Sequence, residues 1–245
     1  VNHLPYDDQM SSRWRSIRPA WLLALVILGG WIVGLVGDSF NVCPPSIQNS
    51  CETATIYLAQ DNGLVVYSHQ FYQLFTSTVV TDSPLDAGFN AIAVLILDRL
   101  TEDNLNRTRY FLIFFSTAIL GNLLTLLQGP NYASAGASGG IFGIFASLVV
   151  FSWLKDKKVD QPTLVLFIII FFGSSILPDV NYVAHIGGAV GGFIAGGLLY
   201  SVVKPTLMEY SFAYKSNPKT VLSTAILIFL VGILSITQFF LFAGV

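Results

Sequence analysis

The segment Ala184-His185-Ile186-Gly187-Gly188-Ala189-Val190-Gly191-Gly192-Phe193-Ile194-Ala195-Gly196 carries one imidazole at its head and no formal charge after it. It lies in the apolar run Val183–Val203, long enough as a helix to cross ~30 Å of hydrocarbon. Lipid offers the backbone no hydrogen-bond partners, so such a run must be helical. Gly188, Gly192 and Gly196 recur every four residues, with Gly187 and Gly191 beside them. Small residues at this spacing let membrane helices bring their backbones together. His185 stands three residues before Gly188 and shares that face. A smooth face with one histidine at its end calls for a second smooth face opposite.

The second face is Gly136-Ala137-Ser138-Gly139, opening the run Gly139–Leu154 and followed by Gly143, Ala146 and Ser147. Alone, Gly-x-Ser-Gly in a membrane helix is usually a packing motif. A histidine inside a span, in contrast, marks a functional site by default, although a packed, hydrogen-bonded histidine is the bland reading. Here both residues open their helices from the same side of the membrane, so they fall at similar depth. The glycine faces then bring Ser138 and His185 within reach of each other.

Working outward, the composition matches a chain built of spans. Of 245 residues, 53% are hydrophobic and only 11% charged, against roughly a quarter charged in soluble domains; mean hydropathy is +0.67. Further apolar runs at Ala20–Gly37, Leu85–Leu100, Tyr110–Leu127, Thr163–Leu177 and Val221–Leu241 bring the expected count to seven helices. The first run is too long for the apolar core of a cleaved signal peptide and lacks a small-residue cleavage site. The chain begins with Val, which leaves open a start upstream or an unusual start codon. The 12 Lys and Arg residues fall in four groups of three: Arg13, Arg15, Arg18; Arg99, Arg107, Arg109; Lys155, Lys157, Lys158; Lys204, Lys215, Lys219. The alternate loops 38–84, 128–138 and 178–182 contain none. The positive-inside rule therefore puts the N-terminus in the cytoplasm and the C-terminus outside.

The expected organisation is an all-α, multi-pass integral membrane protein. A cytoplasmic tail (1–19) leads into a six-helix core (20–203), whose outer loop 38–84 lies on or partly in the outer leaflet. A cytoplasmic linker (204–220) and a seventh helix (221–245) follow. The plasma membrane is the expected location. Cys43 and Cys51 share the outer loop; they form a disulfide if that side is oxidising, or remain two thiols. A net charge of −2 gives no basis for a nucleic-acid partner.

A serine hydroxyl becomes a useful nucleophile only when a base takes its proton, and an imidazole does this near neutral pH. Ser138 is the expected nucleophile and His185 the expected base. The Ser138 backbone N–H, at a helix N-terminus, is free to stabilise an oxyanion. His69 in the outer loop and His3 in the tail read as surface side chains. Asp179, beside Pro178, reads as a turn residue, and Phe171 and Phe172 as lipid-facing bulk.

Together these motifs resemble the rhomboid intramembrane serine proteases. The likeness covers roughly Phe71–Val203 and includes Gly-Asn-Leu-Leu at 121–124, Gly-Ala-Ser-Gly at 136–139 and Ala-His-Ile-Gly-Gly at 184–188. The resemblance implies a rhomboid-like six-helix core with a membrane-embedded first loop, and the extra C-terminal span matches the subgroup with six helices plus one. It implies a Ser138–His185 dyad without an acidic third member. Gly136, Gly139 and Gly188 become supporting positions, and Phe142, one turn after Ser138, the aromatic that packs on the histidine. It also suggests that the fifth span and the 174–182 loop gate substrate entry. Asn90 matches an oxyanion-binding asparagine of the second helix. Four residues earlier the family usually has histidine, and here Asp86 stands. A carboxylate there repels an oxyanion unless protonated or turned to water, which leaves its role open. Where the family's first loop usually has Trp-Arg, this chain has Tyr72-Gln73.

The expected substrate is a protein with a transmembrane helix, cut near its outer end where Gly, Pro or other weak helix formers unwind it; the family suggests a small residue before the bond. Water would reach the site through a cavity opening outward. No cofactor or metal is implied: the chain has no His-Glu-x-x-His and too few histidines, and no paired aspartates at span centres. Paired broken helices of the transporter type are also missing. The rival that stays open is a pseudoprotease that binds membrane helices without cutting them, for which Asp86 would be the cause.

Overall fold

The computed structural model describes residues 19–39, 57–81, 83–101, 105, 107–175 and 180–209. The seventh expected span, Cys43, Cys51 and Asp179 lie outside the described residues. Long helices dominate: α1 (Pro19–Ser39), α4 (Pro84–Thr101), α5 (Arg107–Thr125), α6 (Ser138–Asp156), α7 (Gln161–Ser175) and α8 (Tyr182–Glu209). Between α1 and α4 come a strand β1 (Gln60–Asp61) and short helices α2 (Asn62–Tyr67) and α3 (Gln73–Thr76). Between α5 and α6 come a 3-10 turn (Leu126–Gln128) and a strand β2 (Ala133–Ser134).

Among the described residues, four helical segments are long and apolar enough to cross a membrane: Pro19–Val36, Thr108–Gln128, Ser138–Asp156 and Tyr182–Ser201. The second and fifth expected spans are helices with shorter apolar stretches, Pro84–Leu97 and Gln161–Ser174. At 1.5 Å per residue, the 15 residues of α7 reach only about 22 Å, short of the hydrocarbon thickness. In the other direction, α8 runs past its expected end at Val203 to Glu209, so the first residues of the expected linker continue the helix.

α8 packs along both α6 and α5, and α1 packs on α4. Buried Leu23, Ile27, Leu97, Tyr110, Phe114, Ile141 and Phe145 form the main core among these helices. Thr117 on α5 lies where a side chain on Gly143 would be, and the Phe114 ring where one on Gly140 would be. Thus α6 meets α5 on one side and α8 on the other with its glycines inward.

Hydropathy does not report what happens in residues 57–81, in the loop expected to lie outside. β1 pairs antiparallel with β2, Gln60 opposite Ser134 and Asp61 opposite Ala133. Asp61 caps α2 by accepting from Leu64 N–H at 2.9 Å. Val65, Val66 and Leu74 bury against Leu123 and Leu126 at the end of α5. The segment therefore sits on the helix body through an apolar patch, and its polar groups pair with the loop that precedes Ser138.

Candidate active site

Ser138 is the first residue of α6 and His185 the fourth of α8. Their side chains meet: Ser138 Oγ lies 2.8 Å from His185 Nε2. The glycine seam explains the approach. A Cβ on Gly188 would overlap the Gly139 carbonyl, one on Gly192 the Gly143 carbonyl, and one on Gly196 would stand 2.5 Å from Ser147 O. On the adjoining side, a Cβ on Gly121 of α5 would stand 2.5 Å from Ala184 O. Backbone rests on backbone along this wall, which lets the Ser138 and His185 side chains come side by side.

His185 is buried, 2% exposed. Phe142, one turn after Ser138, has its ring centroid 4.5 Å from the imidazole at a 53° tilt. The other ring nitrogen, Nδ1, is buried without a hydrogen-bond partner among the described residues. The ring is thus held by packing and by Ser138. Phe171 differs from the lipid-facing position expected for it: it is only partly exposed, 5.0 Å from Phe142 and 6.2 Å from His185 between centroids. Helical spacing turns it inward while its neighbour Phe172 is 64% exposed.

Asp86 and Asn90 lie one turn apart on α4, on the same face. Gly136 adopts φ +138°, a conformation suited to glycine. A Cβ there would lie 3.3 Å from Asp86 Oδ2 and 3.9 Å from Ser138 Oγ, so the carboxylate and the hydroxyl flank one point. Asn90 is 6% exposed, and its Nδ2 donor is buried with no partner among the described residues. An orphaned buried donor costs roughly 1–3 kcal/mol, which suits a group awaiting a negative oxygen. The Ser138 N–H, in the first turn of α6, is likewise outside the helical ladder.

Sequence reasoning missed a set of buried amides that ties the outer segment to the serine loop. Gly136 N–H donates to Ser77 O at 2.8 Å. Asn122 Nδ2 donates to Ser77 Oγ at 2.8 Å and to Leu74 O at 2.9 Å. Gln60 Nε2 donates to Asn122 O at 2.9 Å, and Asn62 Nδ2 to Thr125 O and Gly129 O at 2.8 Å each. Gln73, at the place where the resemblance leads one to expect arginine, is fully buried and accepts from Asp61 N–H at 2.9 Å. Asn181 N-caps α8 by accepting from Ala184 N–H at 3.1 Å. An Asn just ahead of an apolar run is a helix-start signal in sequence and could have been found; the partners of Asn122 and Gln60 have no local signature.

A family model described as the Rhomboid domain matches residues 68–202, more than half of the chain and inclusive of Asp86, Asn90, Ser138 and His185. Among curated relatives, the chain is similar to Rhomboid protease GluP of Bacillus subtilis (strain 168), 29% identical over 182 residues, which is 72% of this chain and 34% of that protein. It is 27% identical over 167 residues to RHOMBOID-like protein 1 of Arabidopsis thaliana, 66% of this chain and 42% of that one. It is 27% identical over 138 residues to the Putative rhomboid protease YdcA of Bacillus subtilis (strain 168), 54% of this chain and 68% of that one. The chain thus spans well under half the length of the first two. With its apolar helices and this match, the chain is an integral membrane protein of the rhomboid family.

Proposed function

We propose that the protein is an intramembrane serine endopeptidase that cuts transmembrane-helix proteins near their outer ends. The 2.8 Å contact between Ser138 Oγ and His185 Nε2, at the head of a glycine seam, carries this assignment. Ser138 Oγ attacks the carbonyl carbon of an unwound peptide bond as its proton passes to His185 Nε2. The carbonyl oxygen becomes negative and is held by the Ser138 N–H and Asn90 Nδ2. The C–N bond then breaks, and the proton on His185 moves to the departing amine. Water, giving its proton to His185 in turn, releases the acyl group and restores Ser138. The Phe142 ring keeps the imidazole facing the serine in place of an acidic third member.

In this reading the seven helices place the N-terminus in the cytoplasm and the C-terminus outside, with the dyad toward the outer face. No cofactor takes part. Substrates carry helix-weakening residues near that face, and Asp86 stands where the family's usual pattern leads one to expect histidine.

The test is cleavage of a labelled transmembrane substrate by purified protein in detergent. Ser138→Ala and His185→Ala should each lower kcat by at least about a thousand-fold, and a fluorophosphonate should label Ser138 in the unaltered protein alone. Cleavage by Ser138→Ala at the unaltered rate would end the serine-protease reading. Substrate capture without cleavage by the unaltered protein would favour the non-cleaving alternative.

A further inference from the structure

One amide stands where the elements carrying the two reactive side chains join. Asn181 uses its whole hydrogen-bonding capacity. Its Oδ1 accepts from Ala184 N–H at 3.1 Å and from Gln128 Nε2 at 3.0 Å. Its Nδ2 donates to Thr125 Oγ1 and to Ser134 Oγ, each at 2.8 Å. The Ala184 N–H fixes which end of the amide is oxygen, because a main-chain N–H can only donate. The four partners lie on the α8 N-terminus, the 3-10 turn, the end of α5 and β2.

Ala184 immediately precedes His185, and Ser134 stands four residues before Ser138. His185 N–H also donates to Asn181 O at 3.3 Å, so Asn181 begins the turn that presents the imidazole. A displacement of Ser134 relative to α8 must break a hydrogen bond to Asn181. The glycine seam holds α6 and α8 laterally. The amide adds a polar tie at the head of that seam, between the strand that precedes Ser138 and the turn that carries His185.

We propose that Asn181 is a positioning residue that sets the serine–imidazole distance by tying the serine loop to the cap of the histidine helix. This rests on the protease reading above and adds a residue that touches neither substrate nor the reacting atoms. Misplacement of reacting groups by about 1 Å costs on the order of 100-fold in rate, so a loosened tie should show in kcat.

Two substitutions separate positioning from folding. Asn181→Ser keeps an N-cap oxygen for α8 but is too short to reach Thr125 and Ser134. The pair Thr125→Val with Ser134→Ala leaves Asn181 and its cap intact and removes the partners. Both are measured as full-length protein in detergent, beside unaltered protein and Ser138→Ala. The expected result is a kcat lowered about 10- to 100-fold with KM within about two-fold. Fluorophosphonate labelling of Ser138 should slow by a similar factor, and the thermal midpoint should fall only modestly, so that the protein stays folded at the assay temperature. An unchanged kcat in either variant, or a loss of activity that only follows a loss of thermal stability, would overturn the inference while leaving the dyad intact. Cleavage that does not depend on Ser138 would remove the dyad and this inference together. If Asn181→Ser fails to fold, the Thr125 and Ser134 pair decides.

Discussion

Asn90 and Asp86 stand a single turn apart on α4, and in the proposed reaction they would act in opposite directions on a developing oxyanion. The Asn90 donor is buried and unpaired among the described residues, while the Asp86 carboxylate flanks the same glycine as Ser138. Asn90→Ala should therefore lower kcat by about 100-fold with little change in KM, because the lost hydrogen bond forms only as charge develops. Asp86→His should raise kcat by roughly tenfold, equivalent to ~1.4 kcal/mol of transition-state stabilisation. Both are read from initial rates on one substrate. An unaltered rate in Asp86→His would make that position irrelevant to the chemistry. At this scale the sequence was informative where the signal is local: residue type and glycine spacing brought Ser138 and His185 together, as their 2.8 Å contact has it, whereas Asn90 was named through the family resemblance. It was silent on Asn122, Gln60 and Ser77, whose partners lie 45 to 62 residues away and whose side chains alone say nothing of burial.

Among the elements, α6 and α8 set the site by touching through glycine. Gly188→Ala would drive a methyl into the Gly139 carbonyl, and neither backbone can move without separating Ser138 from His185. The expected cost is ~1–3 kcal/mol of stability, together with loss of cleavage. Gly197, on the same helix, has nothing within 4 Å of a Cβ. Gly197→Ala should keep full activity and gain up to about 1 kcal/mol from helix propensity. Thermal unfolding and cleavage of the two variants, side by side, measure the seam. Equal behaviour would show that close approach is not what glycine provides here. For the six expected spans within the described residues, helix positions followed from hydropathy to within a few residues except at the end of α8, which runs on to Glu209. The shortness of the apolar stretches in α4 and α7 was not foreseen, because a window of apolar residues counts composition and not where the helix ends. α2, α3 and the paired strands were also beyond hydropathy, for their order comes from a buried polar network.

For the whole molecule, charge distribution is the strongest statement. Every Lys and Arg belongs to one of four groups that alternate with loops containing none, and under the proposed topology Lys157 is on the cytoplasmic side and Tyr132 outside. With Cys43 and Cys51 changed to Ser, a cysteine at Tyr132 should react with an impermeant maleimide in intact cells. One at Lys157 should react only after the membrane is opened. The reverse pattern would invert the topology and move the proposed cut to the cytoplasmic side. The helical, membrane-spanning class was legible because long apolar runs leave a chain in lipid few other solutions. The relation between the outer segment and the serine loop was not, since it rests on contacts that no periodicity records.

The wall formed by α6 and α8 also constrains how this protein can diverge. Where main chain lies on main chain, there is no side-chain volume for evolution or an engineer to redistribute. Under the proposed activity, a new taste for targets would come from side chains such as Phe89 on α4 or Phe172 on α7, both largely exposed. Drift in selectivity and preservation of the reaction would then be written on separate surfaces of one small bundle.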